Sequence, residues 1–134
     1  MTRIERLAAL LDEPLLVAGP PYVVGGQVNV RYLTGLESSN AALLVEPDAK
    51  AMLFADFRYA ARAREVEGVT FVETARGLLP AVGEVLAGRR IAFEEAHLPF
   101  VGYRALEDAG VEAVPTNGLV ESRRGPPRAR HAGT

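Results

Sequence analysis

The feature that most constrains the fold is an alternation that begins at residue 51. "AMLFA" (51–55), "VTFV" (69–72), "RIAFE" (90–94) and "VEAVP" (111–115) are short apolar runs of strand length. Between them lie "FRYAARAREVE", "LLPAVGEVLA" and "PFVGYRALEDA", whose apolar residues recur at helical spacing. In these helices Tyr59, Ala63 and Val66 fall on one face, and Leu78, Leu79, Val82, Val85 and Leu86 form an apolar stripe. Pro80 is tolerable because it falls in a first turn, and Pro99 is placed at a first helical position. Gly68, Gly88 and Gly110 stand where each helix must stop. Repetition of this kind makes neighbouring strands parallel and lays helices on the sheet.

Upstream the pattern differs. "TRIERLAALL" opens with Thr2 and Glu5 in capping-box spacing, then Ile4, Leu7, Ala8 and Leu11 on one helix face. "PLLVA" (14–18) reads as a strand headed by proline. "GPPYVVGGQ" reads as an extended loop on its glycines and prolines. "AALLVE" (41–46) and "AMLFA" flank "PDAK", so residues 41–55 read as a β-hairpin. The expectation is an α/β fold, with six strands in one mostly parallel mixed sheet, four helices, and helices on both faces.

A chain of 134 residues with 49% apolar content has the size of one domain. No apolar run reaches the roughly 18–20 residues that span a bilayer, and the charged N-terminus does not read as a signal peptide. The expectations are a cytoplasmic protein and no membrane partner. Without cysteine there is no disulfide, thiol nucleophile or thiolate metal site. Residues 121–134 carry net +3, so the overall −2 leaves −5 on residues 1–120. An acidic body argues against nucleic acid as a partner. Residues 123–134, "RRGPPRARHAGT", hold no Ile, Leu, Val, Phe or Tyr to bury and read as a disordered tail.

The residues supply no complete catalytic set. A hydrolytic metal centre needs several His, Asp or Glu side chains on one point. His131 lies in the tail, and His97 pairs with Glu94 at i, i+3 without a second half elsewhere, which reads as a surface strand end. Ser38, Ser39 and Ser122 lie outside any G-x-S-x-G elbow. "GPPYVVGGQVN" lacks the G-x-G-x-x-G and G-K-[ST] patterns of phosphate loops. "ADFRYAARARE" stays open to two readings. If the strand runs to Arg58, Asp56 and Arg58 share a face at the ligand end of the sheet. Otherwise Asp56 is the N-cap of the next helix with a local ion pair. No catalytic and no metal-ligating residue is assigned.

Two segments in order then carry a resemblance. "NVRYLTG" with "SSNAALLV", followed by "LFADFRYAARARE", resembles the N-terminal domain of the creatinase / Xaa-Pro aminopeptidase / prolidase family. Asn29, Tyr32, Leu33, Thr34 and Gly35 match its Asn-x-x-Tyr-Leu-Thr-Gly pattern, and Asp56, Arg58 and Tyr59 match its Asp-x-Arg-Tyr pattern. The resemblance covers roughly residues 3–122. It implies a six-stranded α/β domain, 1–122, that is not itself catalytic. The family's dinuclear metal (Mn, Co or Zn), held by two Asp, one His and two Glu, belongs to a second domain whose motifs do not occur here.

The resemblance also implies the role of the domain, which is to shape an active-site entrance and build a homodimer beside the catalytic domain of a parent Xaa-Pro peptidase. Arg31, Tyr32, Asp56, Arg58 and Tyr59 are the candidate entrance or interface residues. Asn29, Leu33, Thr34 and Gly35 form the framework, with Asn29 capping a short helical turn and Gly35 allowing the bend that follows. Two departures stand out. The loop before Asn29 is longer than usual, and "VES" runs into the Arg/Gly/Pro tail instead of a linker helix. That change is what a truncation or frameshift would leave. Two alternatives remain. One is a free-standing dimerisation module. The other is a small-molecule-binding remnant of a creatinase-like hydrolase, with Arg31 or Arg58 meeting a carboxylate.

Overall fold

A computed structural model describes residues 1–75 and 77–124. The capping box forms as the spacing requires. Thr2 Oγ1 accepts from the Glu5 amide at 3.0 Å, and Glu5 accepts from the Thr2 amide at 2.7 Å, starting helix α1 (Arg3–Ala8). Strand β1 (Leu15–Gly19) leads into helix α2 (Val24–Thr34). β2 (Ala41–Val45) and β3 (Ala51–Asp56) form the expected hairpin, and Lys50 N donates to Asp48 Oδ1 in its turn at 3.0 Å. A 3₁₀ turn (Phe57–Tyr59) and a short α3 (Ala60–Ala63) follow. The remaining elements are β4 (Thr70–Thr74), α4 (Leu78–Leu86), β5 (Arg90–Glu94), α5 (Phe100–Asp108), β6 (Glu112–Thr116) and α6 (Leu119–Arg124).

The six strands form one sheet in the order β4-β3-β2-β1-β5-β6. β2 runs antiparallel to β1 and β3, and the other pairs are parallel. β1 and β2 are buried on both faces, so they read as continuous apolar runs rather than alternating ones. Alternation still assigns each residue to a side. Leu15, Val17, Leu43, Val45 and Leu53 pack under α1, α2, α3 and α6. Leu16, Leu44, Phe54, Ile91 and Phe93 pack under α4 and α5. Each fully buried leucine of this kind contributes about 1.5–3 kcal/mol. β6 lies at the sheet edge, where Pro115 removes no ladder donor that the sheet needs.

Gly68, Gly88 and Gly110 all take positive φ at the ends of their segments, as their positions suggested. Pro80 is the third residue of α4, where no intrahelical donor is lost. The helix expected from Phe57 to Glu67 shortens to the 3₁₀ turn and Ala60–Ala63, leaving Val66 beyond it, and four further details depart from the sequence reading. Residues 24–34 form a helix instead of an extended loop running to a short turn. Their two glycines are there for packing, since a Cβ on Gly26 would stand 1.9 Å from the Ala18 carbonyl oxygen of β1. Val85 is exposed rather than part of the stripe, because α4 turns Gly83 toward Ala109 of α5. Pro99 is the N-cap of α5, one position earlier than placed.

The fourth departure is α6. It ends at Arg124, two residues beyond the boundary placed at 122, and Val120 anchors it in the core. Residues 125–134, which hold most of the expected tail and His131, lie outside the described residues, as does Arg76.

Candidate functional site

The topology creates one crevice. β1 and β5 are parallel neighbours. The helix after β1, α2, packs on one face of the sheet, while the helix after β5, α5, packs on the other. Chains that leave adjacent strands toward opposite faces open a cleft at the carboxyl ends, where α/β proteins place ligands.

A polar cluster fills this position. Glu94 ends β5 and is 3% exposed. A tight turn follows, with the amides of His97 and Leu98 both donating to the Glu94 carbonyl at 3.1 Å. The turn stands His97 beside its own strand end. Asn29, fully buried on α2, donates through Nδ2 to Glu94 Oε2 at 2.8 Å and to Glu121 Oε2 at 3.0 Å. His97 Nε2 and Glu121 Oε2 share a hydrogen bond of 2.6 Å. Arg124 closes the set, donating to Asn29 Oδ1 at 2.7 Å. Burial pushes the Glu94 carboxyl up to about 7, and the nearby Glu121 charge adds to that rise, while His97, Asn29 and Arg124 oppose it. Burial also opposes ionisation of Glu121, but hydrogen bonds from His97 and Asn29 outweigh it and hold the group below its ordinary value.

Asn29 is therefore not a helix cap. It sits inside α2 and uses its amide to hold two carboxylates, because burial leaves it no solvent partner. The pairing of His97 with Glu94 does have a further member, Glu121, supplied by α6. Sequence spacing could not find it, since α6 lies on the far side of β6 in the chain. The i, i+3 spacing of Glu94 and His97 was the one visible signal.

The second corner holds the other expected residues. The strand stops at Asp56, which caps the 3₁₀ turn, so the second of the two readings left open by the sequence applies. Asp56 is fully buried. It accepts the Arg58 amide at 2.9 Å, Arg58 Nε at 3.0 Å, Arg58 Nη2 at 2.7 Å and Asn40 Nδ2 at 3.0 Å. The Arg58 guanidinium, aided by Asn40, holds this carboxyl well below the usual carboxylate range against the cost of burial. Arg58 lies over the Tyr59 ring at 5.3 Å, and Tyr59 Oη meets Ser39 Oγ at 2.6 Å. That bond lowers the Tyr59 hydroxyl from its ordinary value.

Arg31 and Tyr32 diverge from this corner. Arg31 points outward to Glu37 at 3.4 Å, an exposed pair of small energetic weight. Tyr32 is half-buried against the core and donates to the Arg123 carbonyl at 2.8 Å. Leu33 is buried, Thr34 donates to the Val30 carbonyl at 2.7 Å, and Gly35 takes φ +77° to end α2. The structure thus brings Asp56, Arg58 and Tyr59 together and leaves Arg31 apart.

The dinuclear centre that the resemblance implies needs five carboxylate and histidine ligands. Among the described residues only Glu94, His97 and Glu121 gather in this way, so they do not fit such a centre. No helix among the described residues is long and apolar enough to cross a membrane.

Residues 3–125 match the Creatinase/Prolidase N-terminal domain family. The N-terminal domain of the cytoplasmic peptidase PepQ from Mycobacterium tuberculosis H37Rv is 30% identical, with a TM-score of 0.72 over 91% of this chain and 98% of that one. An Xaa-Pro aminopeptidase structure from Streptococcus pyogenes is 27% identical, with a TM-score of 0.74 over 91% of this chain and 95% of that one. Xaa-Pro dipeptidase from Bacillus anthracis shares the fold at 24% identity and TM-score 0.76, over 91% of this chain and 35% of that one. No curated protein matches the chain in sequence.

Proposed function

The chain belongs to the creatinase/prolidase N-terminal domain family, and on that premise we propose that it acts as the non-catalytic N-terminal domain of a proline-specific (Xaa-Pro) metallopeptidase. In this reading it shapes the active-site entrance and the subunit interface of a cytoplasmic homodimeric enzyme. The dinuclear Mn, Co or Zn cofactor belongs to the peptidase domain, and neither nucleic acid nor membrane is a partner. The carrying observation is the apolar rim at the carboxyl end of the sheet. Tyr22 follows β1 and is 98% exposed, Phe57 follows β3 at 63%, and Phe100 and Val101 open the helix after β5 at 70% and 76%. Large apolar side chains exposed at one end of a domain mark an interaction surface. Arg58, braced by Asp56, stands beside Phe57 at this rim.

The test is an assay of the chain with an Xaa-Pro dipeptide and added Mn²⁺, Co²⁺ or Zn²⁺. No turnover above a buffer blank is expected, and measurable turnover overturns the reading. The same rim also favours a second reading, a free-standing dimerisation module. Sedimentation of the wild type should then show a dimer that Phe57→Asp with Phe100→Asp dissociates. A strictly monomeric wild type sinks that alternative.

A further inference from the structure

We propose that Glu94, His97 and Glu121 form a binding site for one borderline divalent cation, of the zinc class, which fastens α6 to the end of β5. The site uses ligands from three parts of the chain, namely the last residue of β5, the turn after it, and α6. One donor atom from each lies within 4.8 Å of the other two. A tetrahedral zinc ion with nitrogen and oxygen donors at about 2.1 Å holds them roughly 3.4 Å apart. The closest pair, His97 Nε2 and Glu121 Oε2, already lies at 2.6 Å. On binding, that pair opens by roughly 0.8 Å as the ion takes the place of the shared proton, while the wider separations, all within 4.8 Å, close.

Two further observations point to a ligand. Glu94 is 3% exposed, and its Oε1 is buried without a hydrogen-bond partner among the described residues. Leaving a buried carboxylate oxygen unsatisfied is costly, and metal coordination is one of the few ways to satisfy it. Its carboxyl group faces the cluster, since its other oxygen shares the Asn29 amide with Glu121. Asn29 thus orients both carboxylates from behind, the role that outer hydrogen-bonding partners play around metal ligands.

His97 is also fixed in place. A Cβ on Gly25 would stand 2.4 Å from its Cε1 and 2.5 Å from its Nδ1, so the imidazole lies flush against the first turn of α2. This packing presents Nε2 to Glu121 without the entropy cost of ordering a free ring. One imidazole with two carboxylates suits Zn²⁺, Co²⁺ or Mn²⁺, and it disfavours Mg²⁺ and Ca²⁺, which prefer all-oxygen shells.

The experiment is calorimetric titration of the full chain with Zn²⁺ at pH 7.5 after chelator treatment, with Mg²⁺ in parallel. One zinc per chain, a raised Tm and no Mg²⁺ response are expected. His97→Ala and Glu94→Gln should each weaken binding at least about tenfold, a change of about 1.4 kcal/mol. Gly25→Ala keeps every ligand but displaces the imidazole, and it should weaken binding while the circular dichroism stays native. His131→Ala should leave affinity unchanged. Absence of zinc binding overturns the site, as does binding that survives His97→Ala and Gly25→Ala or disappears with His131→Ala.

Discussion

Asp56 and Arg58, two residues apart, form a closed ring: both carboxylate oxygens accept from the same guanidinium at 3.0 and 2.7 Å, and the Arg58 amide adds a third bond at 2.9 Å. One partner is fully buried, and the other has a side chain 39% exposed. The pair thus ends β3, caps the turn after it and holds a cation at the rim with one set of contacts.

Asp56 carries a clear pH signature. Its folded-state pKa is depressed below the ordinary value of 3.8. Its contribution is therefore present above the unfolded value and lost as pH falls through the folded one. Asp56→Asn should cost about 2 kcal/mol at pH 7, less than the ~3–5 of a fully buried pair because Arg58 meets solvent. Urea unfolding from pH 7 to pH 2 checks this, and the gap between variant and wild type should narrow as pH falls below about 4.

Glu94 shifts the other way. Its pKa rises from an ordinary 4.5 to about 7. The folded state then holds its proton longer than the unfolded chain, so stability falls as pH rises from 4.5 to 7 and levels off above. The charged groups facing it are Glu121, which adds to the effect, and His97 and Arg124, which oppose it. In chelator-treated protein, Glu94→Gln should flatten this slope, recovering on the order of 2 kcal/mol at pH 8. The Gln carbonyl can still accept from Asn29. A variant slope equal to that of the wild type contradicts the shift.

A glycine inside α2 and the glycine that ends it should respond differently to alanine. At Gly26 a Cβ would collide with the Ala18 carbonyl at 1.9 Å, so Gly26→Ala must separate α2 from β1. Overpacking of this kind costs about 1–3 kcal/mol or more. At Gly35 a Cβ would meet nothing within 4 Å among the described residues, but φ is +77°. Gly35→Ala should cost only the left-handed strain of about 1–2 kcal/mol. Thermal melts of the two variants should rank Gly26→Ala as the less stable.

Tyr32 ties α2 to α6 through its bond to the Arg123 carbonyl. Tyr32→Phe should cost about 1 kcal/mol. Hydrogen exchange should show protection lost across residues 119–124 while the β1 and β2 amides stay unchanged.

Much of the fold is legible in the sequence. The alternation after residue 51, the glycine stops and the Thr2–Glu5 box are local signals; the stops and the box formed as written, and the alternation formed with its first helix shortened to Ala60–Ala63. The Asn-x-x-Tyr-Leu-Thr-Gly and Asp-x-Arg-Tyr matches identified the family because their residues lie close together in the chain. The short gap between Asp56 and Arg58 also limited their contact to two possible geometries, and burial of the carboxylate selected one.

What the sequence could not determine depends on distant partners. Residues 24–34 contain two adjacent glycines and three valines, a poor intrinsic helix. They become one because Gly26 admits the β1 backbone and Val30 and Leu33 gain a core, and packing of that strength overrides propensity. The cluster of Asn29, Glu94, His97 and Glu121 spans more than ninety residues of chain, and only the placement of β5 beside β1 brings its parts together. Helical and strand periods are set between neighbours along the chain, so the sequence shows them directly. A buried polar cluster is set by strand order, which is decided by tertiary folding.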